Sequence, residues 1–220
     1  MAREQIPDFP PEPLQEQLAP LVRATCRAKR AAARMYRAWH TKAPDRTARR
    51  ALARMGDEEA AHGRALDRVL GLLTVGPPFP PAERVGREEG QTPDESWASA
   101  TMAAFSLDQA ATACLIALTG VDNSSLSQVA HSIVKDEEDH QRFVIGGFRK
   151  LVDAQPTLGP RLAAEMIVAR DWVRDVYPRR AALAALADAG LVPREAPRAH
   201  DSFLAGLGDR IQDALGVLGM

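Results

Sequence analysis

The sequence has little of what holds together a small secreted domain or a β-sheet core. Cys26 and Cys114 are its two cysteines, too few for a disulfide framework, which points to a reducing, cytoplasmic setting. Aromatic residues are scarce, at 5% of the chain, and no stretch alternates at period two, so a sheet is disfavoured. No apolar run approaches the ~18 residues of a membrane span. The first residues show no cationic segment leading into an apolar one, so neither a membrane nor an export signal is expected. An excess of either charge is missing too. The 28 basic and 29 acidic residues leave a net charge of −1, which gives no reason to expect nucleic acid as a partner.

The chain does have length, alanine and helical periodicity. Its 220 residues, 45% hydrophobic and 26% charged, suit one helical domain with a single sizeable core. Pro7, Pro10, Pro11 and Pro13 make residues 1–13 an extended arm. The apolar spacing then predicts helices from Leu14 to about His40, from a cap at Asp45 to Leu73, from Asp94 or Ser96 to Thr119, and from Leu126 to Leu151. Between the second and third, Gly76–Pro93 carries five Pro and three Gly, too many breakers for a regular element, and is long enough to cross the length of a bundle. Two short connections and one long crossover describe an all-α, ferritin-like four-helix bundle over residues 14–155. Residues 156–220 supply extra C-terminal helices that pack on it: one over Arg161–Ala189, bent at Pro178, and a short final one through Ile211 and Leu215.

The inward stripes carry charge where a plain bundle would have none. On the second helix Ala51, Met55, Glu59, His62, Leu66, Val69 and Leu73 share one face; on the fourth, Leu126, Ala130, Ile133, Glu137, His140, Val144, Phe148 and Leu151 do. A buried carboxylate needs a compensating charge, and a Glu-x-x-His pair aims two ligands from adjacent turns at a common point, so a metal ion fits both pairs. A buried network closed by arginine and water is the alternative. The third helix adds Asp108, the only charge on the stripe of Trp97, Thr101, Ala104, Ala111, Leu115 and Leu118. The first departs from the pattern: in Leu18, Val22, Thr25, Lys29, Ala32 or Ala33 and Tyr36, a lysine stands where an acid would complete a two-metal site, unless Lys29 snorkels to the surface. Cys26 and Cys114 fall on apolar faces and read as core fillers.

Several of these segments have a further, more specific likeness. Trp39-His-Thr-Lys-Ala-Pro44, Arg49-Arg50 and Asp57-Glu-Glu-Ala-Ala-His62-Gly63, followed by Phe105-Ser-Leu-Asp108 and Lys135-Asp-Glu-Glu-Asp-His140-Gln-Arg, resemble the catalytic subunit of bacterial phenylacetyl-CoA epoxidases. The likeness covers about residues 20–150, with Ala187–Pro193 similar to that family's C-terminal stretch. It implies a ferritin-like fold, a non-haem di-iron centre that activates O₂, and oxygen insertion into an organic substrate. By that resemblance Glu59, His62, Asp108, Glu137 and His140 match metal ligands, and Lys29 stands where the family has a glutamate. The complex in that family also contains a related subunit of the same fold without a working metal site.

Charge counting bears on the lysine. Four carboxylates balance two divalent ions, whereas Glu59, Asp108 and Glu137 with one ammonium balance one. The charge balance predicts about one divalent ion per chain, and iron, manganese and zinc all suit such ligands; the resemblance implies iron, as one or two ions per chain. The activity expected is that of a metal-dependent oxygenase or oxidase acting with O₂ on a small organic substrate, with Lys29 and Tyr36 beside the reacting face. Without a Gly-x-Gly-x-x-Gly fingerprint, electrons come from a separate reductase or from the substrate. The alternatives are a catalytically silent scaffold in which Lys29 takes the place of metal charge, and iron storage. A homodimer or a related ferritin-like subunit is the expected protein partner.

Overall fold

The computed structural model describes residues 12–73, 97–121, 124–176 and 180–216, and these are all helix and turn. Four long helices come first: α1 (Glu12–Trp39), α2 (Arg46–Leu73), α3 (Trp97–Leu118) and α4 (Ser124–Ala154). Three more follow: α5 (Leu158–Val176), α6 (Arg180–Asp188) and α7 (Ala196–Leu215). The joint between α1 and α2 is one 3₁₀ turn, His40–Lys42, and the Asp45 carboxylate accepts the Ala48 N–H at 2.8 Å, which starts α2 where its capping residue predicts.

Two apolar layers reveal the directions of the helices. One joins the first half of α1, the ends of α2 and α3, the start of α4 and one face of α6, through Val22, Leu66, Leu115, Ile133 and Leu186. The other joins the end of α1, the starts of α2 and α3, the far half of α4, α5 and α7, through Tyr36, Met55, Phe105, Phe148, Met166 and Ile211. Hence α1 and α4 run one way and α2 and α3 the other. Lys29, Glu59, Asp108 and Glu137 lie at the waist between the layers, all at 0% exposure.

Helix α3 is apolar on nearly every face because α1, α4, α5 and α7 all pack on it. Among the described residues its Ala100–Leu118 stretch alone is long and apolar enough to cross a membrane, and 89% of it is buried by protein. Against α2, α1 makes its most extensive contact. A Cβ at Gly63 would stand 2.7 Å from Arg30 Cγ, and one at Gly56 2.8 Å from Arg37 Cγ and 3.3 Å from the Ala33 carbonyl oxygen. Glycine at these two points lets the helices close over the waist from both sides of Glu59 and His62.

Two boundaries differ from the sequence expectation. Of the helix expected over Arg161–Ala189, α5 and α6 are described, while residues 177–179, with the bend expected at Pro178, lie outside the described residues. The short final helix is instead 20 residues long, since Pro197 occupies its first turn, where no N–H is needed. For the same reason Pro13 belongs to the start of α1, so the arm expected over residues 1–13 can include no more than residues 1–11. Those eleven residues and the crossover expected over Gly76–Pro93 lie outside the described residues.

A candidate metal centre

Three of the four long helices bring carboxylates to one point, and the fourth brings an amine. Lys29 leaves α1 at the waist and is buried with no exposed surface, so the surface-snorkelling alternative does not hold. Its ammonium donates to Asp108 Oδ1, to Glu137 Oε1 at 2.6 Å and to the Thr112 hydroxyl at 3.1 Å. Thr112 in turn donates to the Asp108 carbonyl at 3.0 Å. All three Nζ protons are thus used. Glu59 Oε2, 3.3 Å from Nζ, receives attraction but no hydrogen bond.

The histidines meet the same carboxylates through their inner nitrogens. His140 Nδ1 lies 3.2 Å from Glu137 Oε2, 3.4 Å from Glu59 Oε1 and 3.7 Å from Asp108 Oδ2. His62 Nδ1 lies 3.1 Å from Glu59 Oε1 and 3.6 Å from Glu137 Oε1. One ligand atom from each of Glu59, Asp108, Glu137 and His140 falls within 4.8 Å of all the others. His62 stands beside this group, with its ring centre 6.4 Å from that of His140.

Five further residues shape the site that stripe analysis does not single out. The outer nitrogen of each histidine is held by an acid from the opposite helix: His140 Nε2 by Glu58 of α2 at 2.8 Å, and His62 Nε2 by Asp136 of α4 at 3.2 Å. Each acid sits one residue before the buried glutamate of its own helix, and that adjacency is the sequence signal that could have revealed both. Beyond Glu137, Gln109 donates to Oε2 at 3.0 Å and Gln141 donates to Gln109 at 2.7 Å, so a chain of amides braces that carboxylate. Thr112 completes the set. Cys26, by contrast, lies behind the centre, its sulfur 3.0 Å from Asp67 Oδ1, and burial raises its pKa against the nearby arginines, so it is a packed thiol rather than a nucleophile.

Crowding of carboxylates governs the protonation states. Burial opposes the charge on Lys29, yet Asp108, Glu137 and Glu59 outweigh it and hold the amine above its ordinary range. For His140, too, burial is outweighed by Asp108, Glu137 and Glu59, which favour the imidazolium. Burial raises Glu59, but Lys29 and the histidines bring it well below the usual carboxylate range. Burial and then Asp108 push Glu137 well above that range, against the attraction of Lys29. Burial and the same three carboxylates raise Tyr36, whose hydroxyl approaches Asp108 closely enough for that carboxylate to favour the protonated phenol yet falls short of a well-formed hydrogen bond.

A divalent ion suits what is left over. Glu59 Oε2 and Asp108 Oδ2 are buried without a hydrogen-bond partner, and mixed carboxylate and imidazole donors are those that iron, manganese and zinc take. Because the pKa values of Glu137 and His140 are raised, an ion binding there would compete with protons. No known protein family matches the sequence, and no curated protein matches it either.

Proposed function

We propose that the chain is a ferritin-like bundle that binds one transition-metal ion, iron or manganese, at Glu59, Asp108, Glu137 and His140, and that it is an oxidase or oxygenase of a small organic molecule. The observation carrying this reading is the convergence of those four ligand atoms, from three helices, within 4.8 Å at full burial. Opposed helix directions on either side of the waist, and the motif likeness to epoxidase catalytic subunits, support the ferritin-like assignment. A bound redox-active ion would supply electrons to O₂. The chain's own groups have separate tasks. Glu58 and Asp136 fix which nitrogen of each histidine faces inward, and Gln109 holds Glu137. Lys29 keeps a positive charge and its protons fixed against the carboxylates, and Tyr36 keeps its phenol protonated at the rim.

A second reading has an observation of its own. Because Lys29 already sets a buried positive charge against Asp108, Glu137 and Glu59, the same centre suits a silent partner of a catalytic subunit with the same fold. Elemental analysis after anaerobic reconstitution with Fe(II), paired with O₂ uptake, separates the two. One ion per chain and iron-dependent O₂ consumption are expected. No bound metal would select the silent subunit, and two ions per chain would refute the single-ion site.

A further inference from the structure

The centre is flanked along the bundle by two unlike layers. Toward the start of α1 the neighbours are Leu66, Leu115 and Ile133, all buried, and hydroxyls there return to the backbone: Thr25 donates to the Leu21 carbonyl at 2.9 Å. Toward the end of α1 the pattern changes. The Tyr36 hydroxyl, Thr101 Oγ1 and Trp97 Nε1 are all buried with no hydrogen-bond partner, although Tyr36 and Thr101 are only 1% and 3% exposed. Tyr36 lies two turns past Lys29 and Thr101 two turns before Asp108 on antiparallel helices, so they stand at one level. Side chains lean toward the start of their helix, which tilts Tyr36 toward the centre. Met55, Ala104 and Val144 belong to the same apolar layer as Tyr36, and Trp97 packs against it.

Three unpartnered polar groups in one apolar layer are costly to a protein that does not use them. We propose that this layer is where the organic molecule binds, and that Tyr36, Thr101 and Trp97 select a small uncharged molecule with an apolar body and an oxygen acceptor such as a carbonyl. This names the substrate class for the site proposed above and rests on that reading for the molecule's fate, but not for its binding. An acceptor is required because an indole N–H can only donate. An anion is disfavoured by the three carboxylates at the layer's inner edge. A cation finds their charge already countered by Lys29 and the ion.

Binding can be measured without turnover, by calorimetry and saturation-transfer NMR on the full chain, metal-free and with Mn(II), using four molecules of one shape: benzamide, toluene, benzoate and benzylamine. Benzamide is expected to bind in both forms, with toluene and benzoate at least tenfold weaker in both and benzylamine at least tenfold weaker in the Mn(II) form. Tyr36→Phe and Thr101→Val should each weaken benzamide by about fivefold. Both variants delete a polar group that has no partner, so neither should unfold, and melting curves check this. Toluene or benzoate binding as well as benzamide in either form, benzylamine doing so in the Mn(II) form, unchanged affinity in both variants, or no binding by any probe would overturn the proposal. Metal content, measured on the same samples, tests the metalloenzyme reading separately.

Discussion

Replacing Lys29 by Glu tests the charge balance of the centre directly. The wild-type ammonium lies against Asp108, 2.6 Å from Glu137 and 3.3 Å from Glu59, with no solvent contact for any of the four side chains. Lys29→Glu takes the formal charge of that set from −2 to −4. Breaking a buried ion pair by removing one partner costs about 3–5 kcal/mol, a large part of the ~5–15 kcal/mol that folded domains have. At roughly 2–4 °C per kcal/mol for a chain of this size, the metal-free variant should melt about 6–20 °C below wild type. Metal should reverse the loss. Four carboxylates balance two divalent ions, and each ion present at a hundredfold excess over its dissociation constant adds about 2.7 kcal/mol. Melting curves of both proteins in EDTA and in graded Mn(II), with elemental analysis of each, give the result. Equal melting points without metal, or equal metal stoichiometry in the two proteins, would refute both the single-ion site and the ion-like role of the lysine.

Other expectations follow from the same geometry. His140 and Glu137 hold protons in the metal-free folded state that they lose when unfolded, their pKa values being raised above the ordinary 6.5 and 4.5, so metal-free stability should fall as pH rises from 6 to 8.5. Thermal melts in EDTA at fixed ionic strength check this, and a rising melting point would contradict it. Metal affinity should move the opposite way and strengthen with pH, since the ion displaces those protons, measurable as proton release in calorimetry with buffers of different ionisation enthalpy. Glu58→Gln should weaken metal binding about 10- to 100-fold while sparing the fold, because it loosens the outer nitrogen of His140, and metal titration with a competing chelator reads this. Gly56→Ala should destabilise by about 1–2 kcal/mol in urea, because the added methyl meets the Ala33 carbonyl as well as Arg37, whereas Gly63→Ala meets only the Arg30 side chain and should cost less.

The inward stripes were legible because burial follows the helical period. Each of Lys29, Tyr36, Glu59, Asp108, Glu137 and His140 was placed on an apolar face by spacing alone, and each is buried at 0–1% exposure. Helix ends were harder. Pro13 read as part of an extended arm although the first turn of a helix tolerates proline, and the final helix read as short although it runs from Ala196 with Pro197 in its first turn. The supporting residues escaped for another reason. Glu58 and Asp136 are a third or more exposed and look like ordinary surface acids; only the approach of α2 to α4 makes them partners of the histidines. Gln109 and Gln141 carry no charge and interrupt no stripe, so nothing in one dimension ties them to Glu137.

Side-chain reach explains why a lysine at position 29 does more than delete a ligand. A glutamate there would end four atoms beyond Cα, at the rim where the other carboxylates end, and would contribute an oxygen. Lysine ends one atom further, and its Nζ passes the rim to meet oxygens of Asp108, Glu137, Thr112 and Glu59 from within. An ammonium surrounded by oxygens in this way occupies the place of a cation rather than of a ligand. Its three protons fix directions, so the oxygens left over are determined: Asp108 Oδ2 and Glu59 Oε2, both buried and without hydrogen bonds. Those oxygens, with the inner nitrogen of His140 and a deprotonated Glu137, are the donors left for one ion. The close contact of α1 with α2 at Gly56 and Gly63 is part of the same arrangement, because separation of these helices would draw Nζ back toward the rim.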